Sequence, residues 1–208
     1  MSDEKLDRVY QAETLDQQEA AYDAWANDYE RDLCNMGYRI PGIVAAAFAR
    51  FVTPGSGMVL DAGCGGGIQT EALAAMGYGP ITGIDLSLGM LDVAKAKGIY
   101  AHLKQQTIGE RLDFEDGTFA ACLTTGTFTP GHAPPHGFDE LFRIIRPGGH
   151  LVMVLRSDDD MPPEYQQRLD DIEESGAARL IMRGEGIPCM PYTEPSIIAR
   201  AQVYEVLS

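Results

Sequence analysis

The chain has 208 residues, 45% hydrophobic and 23% charged, which suits one soluble domain with a single core. Acidic residues outnumber basic ones, 31 Asp and Glu against 16 Lys and Arg, for a formal charge of −15. A field of that sign repels phosphate backbones and anionic lipid, which argues against a nucleic-acid or membrane partner. Four scattered cysteines (Cys34, Cys64, Cys122, Cys189) form no CxxC pair, so neither zinc nor a disulfide framework is expected and the pattern fits a reducing cytoplasm. There is no run of roughly 18 apolar residues to span a bilayer. The opening Met1-Ser2-Asp3-Glu4-Lys5 lacks a cationic-then-apolar leader. The expectation is a cytoplasmic protein without a metal.

Residues 1–12 are polar and are expected to fray. From Thr14 to Leu33 the residues Leu15, Tyr22, Trp25, Ala26, Tyr29 and Leu33 recur at helical spacing, and a second helix follows Pro41 and stops at Thr53-Pro54-Gly55. Strand and helix patterns then alternate. Val59–Asp61 reads as a strand, Ile68–Met76 as a helix, Ile81–Leu86 as a strand, and Ser87 as the cap of a helix that ends at Gly98. Tyr100–Thr107 and Phe119–Thr125 are two further strands. A helix through Phe138 and Ile145 leads to the strand Leu151–Leu155. A helix over 162–175, capped by Asp158-Asp159-Asp160, precedes strands near 179–182 and 201–207, with a Pro- and Gly-rich loop at 184–196.

Such alternation predicts an α/β, Rossmann-like, doubly wound and mostly parallel sheet. The last two strands, joined by a loop alone, predict an antiparallel final strand. One domain over 1–208 is expected, with N-terminal helices at 14–53 and a core at 57–208.

The site chemistry concentrates at Val59-Leu60-Asp61-Ala62-Gly63-Cys64-Gly65-Gly66-Gly67. Glycines after a buried strand permit positive φ and let a ligand approach bare backbone. Asp85, about 20 residues on at the end of the second strand, is where a carboxylate meets ribose hydroxyls. A dinucleotide fingerprint needs a third glycine three residues after Gly65, where the chain has Ile68. Asp61 would repel a pyrophosphate and suit an ammonium group, which favours a nucleoside bearing an amino acid over NAD.

These residues resemble class I S-adenosylmethionine-dependent methyltransferases. Val59–Gly67 looks like their first motif, Gly83-Ile84-Asp85-Leu86-Ser87 with Met90-Leu91 like their second, and Arg143–Gly149 like the segment before their fifth strand. Tyr22-Asp23-Ala24-Trp25-Ala26-Asn27-Asp28-Tyr29 is similar to the N-terminal helix of the Williams–Beuren syndrome region methyltransferase-like subgroup. The resemblance covers roughly residues 20–156. It implies a seven-stranded sheet with an antiparallel last strand and S-adenosylmethionine as cofactor. By position, the backbone of Gly63, Cys64 and Gly65 would hold the methionine part with Asp61 near its amino group, and Asp85 would bind the ribose. Leu86 and Met90 would pack on adenine, with Ile108, Gly109 and Glu110 at its amino edge.

The segment Thr124–His132, including Thr125, should face the methyl group, and His132 is the candidate base. Tyr22 and Tyr29 on the N-terminal helix would form a lid whose rings attract a sulfonium. The expected function is methyl transfer to a small-molecule acceptor. The alternatives are a non-catalytic cofactor-binding partner protein and, more remotely, an NAD-dependent oxidoreductase. The sequence leaves the acceptor and the oligomeric state open.

Overall fold

A computed structural model describes residues 2–12 and 14–208, without the side chains of residues 2–4 and 7. The chain runs α1 (Ser2–Tyr10), α2 (Leu15–Asn35), α3 (Ile40–Phe51), β1 (Val59–Ala62), α4 (Glu71–Ala75), β2 (Ile81–Asp85) and α5 (Leu88–Lys97). It continues through β3 (His102–Gln105), β4 (Phe119–Thr125), α6 (Gly137–Ile144), β5 (Ile145–Arg156), α7 (Pro163–Glu174), β6 (Ala178–Arg183), β7 (Ile187–Met190) and β8 (Glu194–Val206).

The strands form one sheet in the order β3-β2-β1-β4-β5-β8-β6, with β7 also paired to β8. The pairs β1–β2, β1–β4, β2–β3 and β4–β5 are parallel, whereas β8 runs antiparallel to β5, β6 and β7. The fold is the Rossmann-like, mostly parallel sheet with an antiparallel last strand that the alternation predicts. The chain leaves β1 toward β2 and β3, then returns to its other side as β4, so the order reverses at β1. Ligands of open α/β sheets sit beyond the carboxyl ends of the strands at that reversal.

Side chains alternate across the sheet with a period of two. Leu60, Ala62, Cys122, Leu151 and Met153 pack with α6 and α7 through Phe138, Leu141 and Leu169. Val59, Ala121, Leu123, Val152 and Val203 pack on the opposite face with α3 through Val44 and Phe48. Burial on both faces explains why β4 and the centre of β5 read as unbroken apolar runs.

Four expectations differ from the structure. Residues 2–10 form a helix rather than a frayed end, because Leu6 packs on the core and Lys5 bonds Asp28 and Asp32 of α2 at 2.8 and 3.2 Å; Met1 lies outside the described residues. The first crossover helix begins at Glu71, not Ile68. The side chains of Gln69 and Thr70 bond the loop and Asp61 instead, and such bonds compete with helix formation. Within the expected loop 184–196, β7 is an eighth strand that lies end to end with β6 along β8; a short edge strand tolerates Pro188. Asp158 does not cap α7, whose N-cap is Pro162. Its carboxylate instead clasps Arg156 at 2.6 and 3.1 Å and accepts the Ile198 N–H.

Candidate active site

After β1 the chain turns beneath the end of β2. Gly63, Gly65 and Gly67 have φ of +74°, +51° and +93°. A Cβ at Gly63 would lie 2.2 Å from the Thr127 hydroxyl, whereas one at Gly65 would meet nothing within 4 Å. Gly63 is therefore needed for close packing, and Gly65 faces open space. The Gly63 and Cys64 N–H groups both donate to the Ile84 carbonyl at 2.9 Å. The next N–H, of Gly65, donates to the Asp85 carboxylate at 2.8 Å, and Ser87 N–H donates to its other oxygen at 2.9 Å. The loop thus fixes the carboxylate in place. Burial raises the Asp85 pKa, and these backbone donors work against that rise.

Asp61 is placed differently from the sequence-based expectation. Its side chain is fully buried and does not line the cavity beside Asp85. It accepts from Thr70 at 2.5 Å, from the Tyr100 hydroxyl at 2.7 Å and from Gln69 at 3.4 Å. Burial pushes its pKa up to about 6 against those three donors. Asp61 is a strut beneath the loop. The Cys64 side chain is also fully buried, and burial pushes its thiol well up.

A cleft opens at the carboxyl ends of β1, β2 and β4. Its lining brings together Tyr22, Tyr29, Gly63, Gly65, Asp85, Leu86, Met90, Ile108, Thr125 and His132. Gly109 and Glu110 fall outside it; Glu110 borders a separate outer recess with Glu19 and Arg111. Sequence reasoning missed Gln106 and Thr107, which line the cleft just past β3. The Gln106 amide nitrogen is buried without a hydrogen-bond partner, while its oxygen accepts from Asp113 N–H at 2.7 Å. A polar side chain directly after the third strand is the signal that could have flagged it.

Helix α2 closes over this cleft and is tied to the core at several points. Asp23 accepts from the Ser87 hydroxyl at 2.5 Å and from Gly89 N–H at 2.8 Å, so it caps α5 together with Ser87, which accepts Met90 N–H. Glu19 bonds Gln105, Glu30 bonds Lys97, and Gln18 donates to the Gly131 carbonyl.

His132 stands where α2 meets the loop after β4. Its Nδ1 lies 3.2 Å from the Pro130 carbonyl, an acceptor only, and 2.9 Å from the Thr129 hydroxyl. That environment places the proton on Nδ1 and leaves Nε2 to accept from the Tyr22 hydroxyl at 2.8 Å. Burial holds the imidazole below its ordinary pKa and raises the Tyr22 phenol well above its own. At neutral pH this is an uncharged pair with a basic nitrogen at its centre.

A second cavity adjoins the first. Tyr22, Tyr29, Gly126 and His132 border both. Its other walls come from α1 (Leu6, Val9, Tyr10), α2 (Trp25, Leu33), Tyr38, and the β5, β7 and β8 residues Val154, Arg156, Cys189, Met190, Ile197 and Ala199. Among the described residues, no cluster of His, Cys, Asp and Glu is arranged to hold a metal ion, and no helix is long and apolar enough to cross a membrane.

A sheet reversing at β1, a glycine loop there and a carboxylate at the end of β2 define a Rossmann-like nucleoside-binding protein. Residues 60–153 match the family model described as "Methyltransferase domain". The chain is 33% identical over 161 residues to human methyltransferase-like protein 27, covering 74% of this chain and 65% of that protein. It is 33% identical over 100 residues to the ubiquinone biosynthesis O-methyltransferase of Alkalilimnicola ehrlichii, covering 45% and 39%. The chain therefore spans less than two thirds of the length of these curated relatives.

Among solved structures, a chain of the complex between the Haloferax volcanii Trm112 methyltransferase activator and a methyltransferase superposes with a TM-score of 0.69 at 20% identity, covering 90% of this chain and 98% of that one. The cyclase SpnF superposes with a TM-score of 0.65 at 15% identity, covering 80% and 81%. These likenesses establish the fold, and the SpnF match shows that the fold alone does not dictate the reaction. Residues 60–153 thus match a methyltransferase domain, and that match together with the human relative supports a class I S-adenosylmethionine-dependent methyltransferase.

Proposed function

We propose that this protein transfers the methyl group of S-adenosylmethionine to a small-molecule acceptor. The observation that carries the reading is the Asp85 carboxylate, held by the Gly65 and Ser87 N–H groups at the edge of the first cleft. Each of its oxygens has a lone pair left to accept a ribose hydroxyl. The rest of the lining fits the same molecule. The open backbone at Gly65 suits the amino-acid tail, the apolar Leu86, Met90 and Ile108 suit the adenine faces, and the unpartnered Gln106 amide can donate to a ring nitrogen. The adenine contact is thus assigned to Gln106 rather than to Gly109 or Glu110. Asp61 acts through the loop it props.

When bound, S-adenosylmethionine supplies a methyl group on a positively charged sulfur, open to in-line attack. The protein's part is alignment in a water-poor site. Tyr22 and Tyr29 of α2 cover the cleft, and their ring faces favour a sulfonium by about 0.5–2 kcal/mol. His132 Nε2 is held ready to receive a proton. A small-molecule acceptor is supported by the second cavity, which adjoins the cofactor cleft, and by the name of the ubiquinone-biosynthesis relative. The segment Tyr22–Tyr29 supports placement in the Williams–Beuren-like subgroup.

The NAD reading is disfavoured because residues 68–70 form turns, so no helix opens directly behind the glycines to seat a pyrophosphate. Thermal shift and calorimetry with S-adenosylhomocysteine and NAD in parallel test the cofactor. Stabilisation by S-adenosylhomocysteine is expected, and stabilisation by NAD alone would overturn the assignment. Labelled methyl transfer into a metabolite extract then separates an enzyme from a non-catalytic binder.

A further inference from the structure

The second cavity has a chemistry of its own. Among its described lining residues Arg156 is the charged one, and Asp158 clasps its guanidinium through both oxygens. No carboxylate lines the cavity to recruit an ammonium group, and no unpaired cation is left to recruit an acid. Burial raises the phenols of Tyr10, Tyr22, Tyr29 and Tyr38, keeping all four protonated and neutral. Three ring pairs at the cavity are set edge-on, Trp25–Tyr29 with centroids 4.8 Å apart, Tyr22–Tyr29 at 6.1 Å and Tyr10–His132 at 5.5 Å. Aromatic walls of this kind pack a flat ring, and scattered hydroxyls orient a polar substituent on it.

The two cavities share a frame of Tyr22, Tyr29, Gly126 and His132. Gly126 has φ +68°, and a Cβ there would point to within 3.7 Å of the Tyr38 hydroxyl across the second cavity. The basic Nε2 of His132 sits at that frame, where a proton must leave an attacking hydroxyl. A neutral amine needs no base before attack, whereas a hydroxyl does.

Resting on the methyltransferase reading above, we propose that the second cavity is the acceptor site and that it takes an uncharged, flat aromatic molecule methylated on a hydroxyl oxygen, with His132 receiving the hydroxyl proton. In the step, the acceptor oxygen bonds to the methyl carbon and the carbon–sulfur bond breaks with its electron pair left on sulfur, which becomes a neutral thioether. The hydroxyl proton moves to His132 Nε2, directly or by way of the Tyr22 hydroxyl. One positive charge enters on sulfur and leaves on the imidazolium.

Trp25 is the sole tryptophan and lines this cavity, so its fluorescence reads occupancy without any turnover. The full chain is titrated with 4-phenylphenol, 4-aminobiphenyl and biphenyl-4-carboxylate, with and without saturating S-adenosylhomocysteine, and each compound is offered labelled S-adenosylmethionine. The phenol should bind at least tenfold more tightly than the carboxylate and be the one methylated. Ala199→Leu and Ile197→Phe each fill the cavity from β8; each should weaken the phenol at least tenfold and leave S-adenosylhomocysteine affinity within twofold. His132→Gln should bind the phenol normally and lose transfer at least 100-fold at pH 7. That variant should recover at least tenfold near pH 10, where a phenol ionises unaided.

Equal or better binding or methylation of the amine or carboxylate overturns the substrate class. Unchanged phenol binding in both filled variants overturns the site, and no recovery of His132→Gln at high pH overturns the proton transfer. A protein that ignores S-adenosylhomocysteine fails the underlying reading instead, and the titration without it still reads the cavity.

Discussion

The two cavities share four residues and are otherwise built in opposite ways. The first is a backbone site in which loop amides and the fixed Asp85 carboxylate come from one strand–loop–helix–strand unit. The second is a side-chain site whose walls come from α1, α2, the end of β4 and the antiparallel β7 and β8. A backbone site tolerates little variation in the chain that makes it, whereas a site made of side chains can change its ligand by point substitution on an unchanged sheet. Binding of donor and acceptor should therefore separate under mutation.

The largest expected effect is at their junction. His132→Ala should lower the methyl-transfer rate by about 10²–10⁴-fold with S-adenosylhomocysteine affinity kept within twofold; a parallel loss of affinity, measured by calorimetry, would erase the division. The wild-type rate should also fall as pH drops below His132's lowered pKa, beneath the usual 6.5. Tyr10 and Tyr22 are the titratable groups that face the ring, and both stay neutral there.

Next comes the strut under the first cavity. Asp61 holds its proton more tightly folded, at about 6, than its ordinary 3.8. The folded state therefore binds the extra proton between those values, and stability is lost as pH rises through that window, on the order of 3 kcal/mol. Asp61→Asn should be less stable throughout, since it sets a donor among three donors, and should lack that fall in melting scans from pH 4 to 7. An unchanged pH slope would remove Asp61 as the cause.

Asp85→Ala should weaken S-adenosylhomocysteine at least tenfold, about 1.4 kcal/mol, and leave 4-phenylphenol binding to Trp25 unaltered. Loss of both would mean the cavities are one. The smallest effect is expected at Asp23→Ala, which removes the cap that α2 lends to α5 and should cost about 1 kcal/mol, or 2–4 °C in Tm. Because α2 walls both cavities, this variant should weaken both ligands alike. A one-sided loss would sharpen the contrast by assigning the helix to a single site.

The legibility of the two regions follows the same division. Gly63, Gly65 and Asp85 could be read because each signal lies within one short unit and each residue type answers a local backbone demand. Asp61 was placed beside the right loop but turned the wrong way. Strand alternation sends Leu60 and Ala62 to the α6–α7 face and Asp61 with Val59 to the other, where Thr70 and Tyr100 wait. Gln106 was passed over because the sequence reading set it inside the strand Tyr100–Thr107, whereas β3 ends at Gln105, and its unpartnered nitrogen exists only once Asp113 has taken the oxygen. The strand β7 was hidden by Pro188, which an edge position excuses.

By itself, then, the sequence determined the alternating fold and the nucleoside half of the site, since periodicity and turn chemistry act over a few residues. Tertiary structure alone decided that Tyr22 of the second helix meets His132 over a hundred residues away, that Arg156 is neutralised by Asp158, and that four half-buried tyrosines line one cavity. Those are facts of packing between distant segments, and burial, which sets the protonation of every group in that cavity, has no local signature in the chain.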